Sequence, residues 1–201
     1  MVKRLADRSD RRQPRLANPP RRSREMSRQW LLAVALVAMP LFAYWPAYEA
    51  GYIWDDDDHV TQTSIQRTAT ALKWVWTKPG ATPQYYPLTH TTFWLEYYLW
   101  GTNPAGYHAD NVILHALNAL LLWRVLRRLE IAGAWLAAAI FALHPVHVES
   151  VAWITERKNA LSAFFIFWRC WRLFAPGGFR VPPPRPGTIL PGGGIPSSAR
   201  K

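Results

Sequence analysis

Four consecutive aspartates occupy positions 55–58, between Trp54 and His59, and follow closely on an apolar run. Carboxylates this close repel one another, so at least one should have a raised pKa unless a cation or a basic side chain lies nearby. A carboxylate in that setting can act as a general base toward a hydroxyl group. The alternatives are a solvated acidic loop or a site for a divalent cation. The run therefore predicts either a proton acceptor or an acidic loop.

A second polar group follows much later in the chain and consists of His144, His147 and Glu149. Two histidines and a carboxylate at this spacing are candidate ligands of a metal ion. Pro145 stands between the histidines and argues against a regular helical zinc site. The sequence therefore does not predict a regular metal site, but it leaves metal binding at these three residues as an alternative.

Arg157 and Lys158 come next, directly after Glu156, on what we predict to be the outer side of a membrane. Basic residues on that side run against the positive-inside rule. Their position suits binding of a phosphate group that emerges from the outer leaflet. The alternative is local pairing with Glu156 and side chains that extend to the membrane interface.

Predicted membrane helices position these groups. Residues 30–48 contain no charged side chain and, at about 1.5 Å per residue, can cross a hydrocarbon layer about 30 Å thick. A cleaved signal peptide is the alternative, but Tyr44, Trp45 and Tyr48 stand where small residues should precede a cleavage site. Further spans are predicted over 107–126, 132–148 and 159–174. We therefore predict an all-α membrane protein with about four transmembrane helices.

Clustered arginines set the predicted orientation. The net charge is +11, and much of the basic charge lies in residues 1–28, before the first span. More arginines end the second and fourth spans: Arg124, Arg127, Arg128, Arg169 and Arg172. The positive-inside rule then places the N-terminus in the cytoplasm and loop 49–106 on the periplasmic or lumenal side. Nucleic-acid binding is not expected, because no aromatic residue precedes Trp30 to stack on a base.

The large outer loop contains two predicted helices that lie in the membrane interface. Residues 63–76 place Ile65, Ala69, Leu72 and Trp76 at helical spacing. Residues 87–100 open on a proline, which the first helical turn tolerates, and are rich in aromatic side chains. Neither has the length and apolarity of a clean span, so both are predicted to lie in the plane of the interface.

The second predicted span has a polar face. Asn111, His115 and Asn118 fall at positions i, i+4 and i+7, so they share one side of a helix. Polar side chains within a membrane need partners, so this face should point into the helix bundle, either to bond neighbouring helices or to serve a site.

The C-terminal stretch 175–201 is punctuated by proline and glycine and has no hydrophobic periodicity. Such a composition predicts disorder. The predicted organisation is thus a basic cytoplasmic tail over 1–28, a membrane region over 29–174 and a disordered tail over 175–201. The abrupt change after the fourth span suggests a truncated or frame-altered chain.

Several motifs in order resemble a known family. They are the Asp pair after the first span, then YYPLTH, NPAGYHADNVILHALNALLLW and HPVHVESVAWITERKNALS. Over about 30–167 the chain resembles the transmembrane and tetratricopeptide-repeat-containing O-mannosyltransferases and their bacterial relatives. These are polytopic glycosyltransferases of the GT-C type.

The resemblance implies transfer of a sugar, such as mannose, from a polyprenyl-phosphate donor to a hydroxyl of an acceptor protein or glycan on the non-cytoplasmic side. It assigns the base to Asp55 or Asp56, with Asp57 and Asp58 as alternates. Further residues follow from the same motifs: Arg157 and Lys158 would hold the donor phosphate, and His144, His147 and Glu149 would line the cavity. No nucleotide and no cofactor would be required.

The chain also departs from that family. Its members have many more spans followed by tetratricopeptide repeats, and neither is seen in this sequence. We therefore expect the fragment by itself to be inactive or poorly folded. The rival hypothesis is a non-enzymatic membrane module in which the acidic run and the histidines bind a divalent cation or a partner protein.

Overall fold

The computed structural model describes residues 21–61 and 68–175, and side chains within the first helix from residue 25 onward. Every regular element in these ranges is helical, which confirms the predicted all-α membrane class. The helices are α1 (Arg21–Ala43), α2 (Ala69–Thr77), α3 (Pro87–Trp100), α4 (Pro104–Arg128), α5 (Ala134–Leu143), α6 (Val148–Ala152) and α7 (Arg157–Leu173). Short 3₁₀ turns cover Trp45–Glu49 and Pro145–His147, and a π-helical turn covers Asp57–Thr61.

Two described helices are long and apolar enough to cross a membrane, namely Glu25–Ala43 within α1 and Pro104–Arg128. A third candidate is the pair Ala134–Leu143 and Pro145–Ala152, which bends by 50° at its break. Helix α7 has 17 residues. At about 1.5 Å per residue it would extend about 26 Å, a little less than a hydrocarbon core of about 30 Å. The number of four spans therefore stays a prediction.

Prolines explain why two helices end before the spans that the sequence predicts. The first span was predicted to run to residue 48, but α1 ends at Ala43, two residues short of the Trp45-Pro46 pair. The third was predicted over 132–148, but α5 ends at Leu143, and His144 is extended with ψ 129°. A proline ring clashes with the helical carbonyl four residues earlier and disfavours helical geometry in the preceding residue. This explains why each of these helices ends before the predicted span does.

Helix α4 lies at the centre and packs against α1, α5 and α7. Leu36 of α1 and Trp123 of α4 form a buried cluster with Ala138 and two further alanines of α5. Such small side chains allow helix backbones to approach closely. The indole Nε1 of Trp135 also donates a 3.0 Å hydrogen bond to the Leu32 carbonyl, which ties α5 to α1.

The polar face of α4 points into the bundle, as predicted. Asn111 Nδ2 donates to the Trp153 carbonyl at 3.0 Å, and Asn118 Nδ2 donates to the Ala160 carbonyl at 2.8 Å. His115 Nε2 lies 3.2 Å from the Ala142 carbonyl. All three polar side chains are buried. Each bonds to a carbonyl at the end of a neighbouring helix or in the adjoining loop, so the face fixes α5 and α7 around α4.

Both helices predicted in the outer loop are present, as α2 and α3. Helix α2 begins after Thr68, whose hydroxyl accepts a 3.2 Å hydrogen bond from Ala71 N. It buries Ala71 and Val75. Of the residues predicted to share one face, Leu72 is half-buried, whereas Ala69 and Trp76 are exposed, so this face does not pack against the described protein. Helix α3 begins at Pro87 as predicted, and the interfacial placement of both helices stays a prediction.

Several sequence predictions lie outside the described residues. They concern Ile65, most of the basic tail over 1–28, and nearly all of the tail over 175–201.

Candidate functional site

Asp56 anchors the acidic run to a distant loop. Its side chain is completely buried. Oδ2 accepts a 3.0 Å hydrogen bond from Ile53 N, and Oδ1 accepts one of 3.0 Å from Thr155 N, 99 positions away. Burial raises the pKa of the Asp56 carboxyl, against the lowering effect of these hydrogen bonds. The sequence predicted a raised pKa from repulsion between aspartates, whereas desolvation is its main cause here.

Asp55 lies beside the same loop but remains accessible. Its side chain is 41% exposed. Oδ1 accepts a 3.0 Å hydrogen bond from the Thr155 hydroxyl, and Oδ2 lies 3.9 Å from His59 Nδ1. A partly hydrated carboxylate held at one oxygen can accept a proton at the other. The geometry therefore favours Asp55 over Asp56 as a general base.

The two alternates of the run face elsewhere. Asp57 Oδ1 accepts a 3.0 Å hydrogen bond from the Thr61 hydroxyl, within the same π-helical turn. Asp58 is exposed to solvent. Trp54, which precedes the run, has a positive φ of 54° and a side chain that is 86% exposed. A bulky residue with positive φ is an outlier, so this turn is backbone-strained where the acidic run begins.

Two stacked histidines, His59 and His90, lie next to the acidic run. The rings of His59 and His90 are 5.5 Å apart and inclined by 12°, and both side chains are buried. Phe93 contacts His90 edge-on at 6.0 Å. Burial, followed by the proximity of His59, lowers the pKa of His90 to about 4. This pair connects α3 to the turn that contains Asp55 and was not predicted from the sequence.

Arg157 is buried, with only 2% of its surface exposed. Its guanidinium forms an ion pair with Glu96 of α3. Nε donates to Asn111 Oδ1 at 2.6 Å, and Nη2 donates to the Tyr107 carbonyl at 2.9 Å. Burial raises the pKa of Glu96 to about 7, against the lowering effect of Arg157. Arg157 thus ties α7 to α3 and α4, and its donors point inward rather than toward a ligand.

Lys158 lies at the rim of an open groove. Its Nζ is 2.5 Å from Glu156 Oε1 and 5.4 Å from the centre of the Tyr86 ring. The groove has a volume of about 330 Å³ and is lined by the first turns of α3 and α7, including Thr89 and Asn159. The N-terminus of a helix bears a partial positive charge and unpaired N–H groups. Two such ends beside a lysine make this groove suited to an anion.

The three residues of the other predicted polar group do not share one groove, although the rings of His144 and His147 lie 6.5 Å apart. His144 lines an apolar groove with Leu136, and its Nδ1 accepts a 3.2 Å hydrogen bond from Val146 N. The His147 ring lies 4.4 Å from the ring of Phe141. Glu149 lines a different groove, next to Trp54 and Trp153. The structure therefore does not gather them in one of these grooves.

A metal site at these residues is not supported either. Among the residues that the structure describes, no three His, Cys, Asp or Glu side chains are grouped as metal ligands would be. His144, His147 and Glu149 are all described, so the ligand set that the sequence left open does not form.

Thr155 thus forms hydrogen bonds with the acidic run and directly precedes the Glu156-Arg157-Lys158 segment in the sequence. The two predicted groups therefore lie next to each other in the structure. Sequence reasoning missed Thr155, because nothing local marks a contact between residues 100 positions apart. It also missed the role of Glu96. A signal did exist there, because Glu96 is the only acidic residue in the aromatic stretch 87–100, and a lone acid on such a helix needs a buried partner.

Comparisons with known proteins agree with the resemblance seen in the motifs. No family model matches the chain, and no solved structure matches it. Protein O-mannosyl-transferase TMTC4 of Homo sapiens is 31% identical over 159 residues, which cover 67% of this chain and 21% of that protein. Protein O-mannosyl-transferase TMTC1 of Mus musculus is 32% identical over 143 residues, or 65% of this chain and 15% of that protein.

A protein O-mannosyl-transferase of Caenorhabditis elegans is 28% identical over 144 residues, covering 65% of this chain and 21% of that protein. The chain thus spans only a small part of the length of these relatives. Over about two thirds of its own length, it is similar to the protein O-mannosyl-transferases.

Proposed function

We propose that the chain is part of a membrane glycosyltransferase that moves a sugar from a polyprenyl-phosphate donor to a hydroxyl of an acceptor protein or glycan, on the non-cytoplasmic side. The names of the relatives point to mannose and to a protein acceptor. The observation that supports this most is the contact of Asp55 and Asp56 with Thr155. It places a candidate base next to the segment that contains Lys158.

In the proposed reaction, the acceptor oxygen attacks the anomeric carbon of the sugar in a single displacement. Asp55 takes the hydroxyl proton as the new carbon–oxygen bond forms. The bond between the anomeric carbon and the donor oxygen breaks, and its electron pair leaves with the polyprenyl phosphate. Attack from the face opposite the leaving group inverts the anomeric centre.

The leaving phosphate gains negative charge in this step, so the enzyme needs positive charge where that oxygen lies. Lys158 supplies it in the proposal, together with the N-terminal ends of α3 and α7 that line the same groove. Arg157 would act indirectly. Its ion pair with Glu96 holds the start of α7, and so the backbone that bears Lys158, against α3 and α4.

Donor binding tests the proposal without requiring turnover. The purified chain in detergent micelles is titrated with a radiolabelled polyprenyl phosphate, and Lys158→Gln is compared with the unmodified chain. Loss of a charge-assisted contact should weaken binding about 10- to 100-fold.

Lys73→Gln is the matched control, because Lys73 is an exposed lysine on α2 of the predicted outer loop and does not line the groove. It should change the affinity by less than about twofold, as surface substitutions do. Absence of saturable binding, or equal losses in the two variants, would refute the donor site.

A further inference from the structure

A cavity lined by arginines lies near the C-terminal end of α4, whereas Tyr107 lies near the N-terminal end. This arginine pocket, with a volume of about 260 Å³, lies between α1 and α4 and is lined by Gln29, Trp30, Trp123, Arg124 and Arg127, among others. Nothing in the proposed sugar transfer uses it.

The guanidinium groups of the pocket retain donors for a ligand. Arg124 and Arg127 are exposed. In the part of the chain that the structure describes, no carboxylate forms an ion pair with either of them. The guanidinium of Arg127 lies over the Trp123 ring, 5.2 Å from its centre. The N–H groups along the edge of the guanidinium stay available for a ligand. Arg128, by contrast, donates to the Trp171 carbonyl and lies over that residue's ring at 4.7 Å.

An apolar groove continues from this pocket along α1. This α1 groove has a volume of about 320 Å³ and shares Trp30, Ala33 and Arg124 with the arginine pocket. It extends to Leu41, and its lining is otherwise aliphatic apart from Trp30 and Arg124. From Ala33 to Leu41 the helix rises about 12 Å. Both helices that border the groove are apolar enough to lie in a membrane.

Charge and shape together define the occupant. A pocket with two arginines and no acidic lining residue favours an anion, and phosphate suits the guanidinium fork. An apolar groove that opens from the same pocket along a membrane helix favours a hydrocarbon chain. We infer that the arginine pocket and the α1 groove together bind one anionic phospholipid, with its phosphate against Arg124 and Arg127 and an acyl chain along α1. Basic pockets between membrane helices bind such headgroups in general.

Native mass spectrometry tests this inference on the whole chain, purified with equal amounts of phosphatidylglycerol and phosphatidylcholine. The unmodified chain should retain phosphatidylglycerol in preference to phosphatidylcholine. The double variant Arg124→Gln, Arg127→Gln should weaken phosphatidylglycerol binding at least about 10-fold, because it removes charge-assisted hydrogen bonds to the phosphate, each of which contributes about 10-fold or more in affinity.

The double variant Arg169→Gln, Arg172→Gln is the matched control, because it removes the same charge from exposed arginines of α7. It should change binding by less than about twofold. Equal losses in both double variants would mean that diffuse charge attracts the lipid, and this would overturn the inference. Equal retention of the two lipids would do so as well.

A second variant tests the acyl-chain part without a change of charge. Val37→Trp fills the α1 groove and should release phosphatidylglycerol, whereas unchanged lipid binding would overturn the inference. Soluble glycerol 3-phosphate separates a lipid from a free phosphate as the ligand. It should bind the unmodified chain far more weakly than phosphatidylglycerol, and equal affinity would show that the groove has no part in binding.

Discussion

Asp55 and Asp56 are neighbours in the chain, yet their carboxylates have opposite surroundings. Both oxygens of Asp56 accept backbone N–H groups, and the side chain is completely buried. Asp55 bonds Thr155 through one oxygen and is 41% exposed. A buried acceptor with two such partners holds loops together, because losing it would leave two N–H groups unpaired. The accessible neighbour is the residue that we propose as the base.

Replacing Asp55 with Asn tests this division of roles. The amide keeps the size of the side chain and a hydrogen-bond acceptor for Thr155, but it cannot take up a proton from the acceptor hydroxyl. The change is made at the matching aspartate of a full-length relative, in membranes that transfer mannose from a polyprenyl-phosphate donor to a threonine-containing peptide, and the rate should fall about 100-fold or more. Single-turnover transfer, followed by radiolabel on the peptide, measures it.

Glu49→Gln serves as the control for Asp55→Asn. Glu49 is exposed and precedes the acidic run, outside the site. The matching variant of the full-length relative should transfer at the rate of the unmodified relative. If Asp55→Asn transferred equally well while folding normally, Asp55 could not be the base.

The buried His90 predicts a pH dependence of stability. Its pKa is lowered to about 4, whereas an unfolded histidine titrates near pH 6.5. The unfolded chain therefore takes up a proton that the folded chain excludes, and stability falls as the pH decreases below about 6.5. From pH 7 to pH 5 the loss should be about 2 kcal/mol. Thermal unfolding in detergent across that range measures it.

His90→Gln should remove this part of the pH dependence, so that its stability relative to the unmodified chain rises on acidification. Other titrating groups contribute alike to both proteins and cancel in the difference. His144→Gln is the control for the histidine-to-glutamine change itself, made at an exposed position. Parallel curves for His90→Gln and the unmodified chain would contradict the argument.

At the residue scale, the sequence singled out the charged residues but not the contacts that each of them makes. The acidic run stands out because its carboxylates repel one another, and the Arg157-Lys158 pair because basic residues are unusual on an outer face. The structure brings both next to Thr155. The two basic residues then differ. Arg157 points into the bundle and pairs with Glu96, whereas Lys158 pairs with Glu156 at the rim of the groove. Adjacent helical residues point about 100° apart, so only the packing of α7 decides which one is buried.

Among the elements, periodicity and proline positions explain what could be predicted. The spacing of Asn111, His115 and Asn118 correctly predicted a buried face on α4, because polar groups in an apolar helix must bond to neighbours. The buried side of α2 was not predictable in the same way. That helix is short, and apolar residues lie on several of its sides.

The corner between α3 and α4 depends on Gly106. A Cβ atom at this position would lie within 2.7 Å of Cδ2 of the Trp100 indole and closer still to other ring atoms. Gly106→Ala would therefore push the indole away and break the 2.9 Å hydrogen bond from Trp100 Nε1 to Asp110. Stability should fall by about 1 to 3 kcal/mol, as is usual for overpacking. The thermal unfolding midpoint in detergent is the measurement.

Gly51→Ala is the control for this corner. A Cβ atom at Gly51 meets nothing within 4 Å, so its variant should lie within about 0.5 kcal/mol of the unmodified chain. If the two alanine variants were equally stable, Trp100 would not need the space that Gly106 leaves.

For the molecule as a whole, the central position of α4 links the two ends that we assign to different ligands. The end near Tyr107 contacts Arg157 and thus the groove of Lys158, and the end near Arg127 borders the arginine pocket. From the distribution of arginines, the sequence predicted that these two ends of α4 face opposite sides of the membrane. Pro145 marks the break after α5, but the sequence could not predict its angle of 50°, because the angle depends on how the two segments pack.

The predicted orientation can be tested by cysteine labelling. Cys170 is the only cysteine of the chain, so Cys170→Ser gives a background without thiols. Glu49→Cys and Lys78→Cys should react with a membrane-impermeant maleimide on intact cells, because both residues are exposed in the predicted outer loop. Glu130→Cys, between α4 and α5, should react only after lysis, because α4 separates it from that loop.

The pair at positions 49 and 78 also tests the loop helices. Neither α2, with 9 residues, nor α3, with 14 residues, is long enough to cross a hydrocarbon core of about 30 Å. Both thiols should therefore label from the same side. Labelling of Glu130→Cys alone on intact cells would invert the orientation and put Asp55 and Lys158 in the cytoplasm. That result would remove the proposed transfer on the outer side, but the contacts around Thr155 would stand, because they do not depend on which side of the membrane they face.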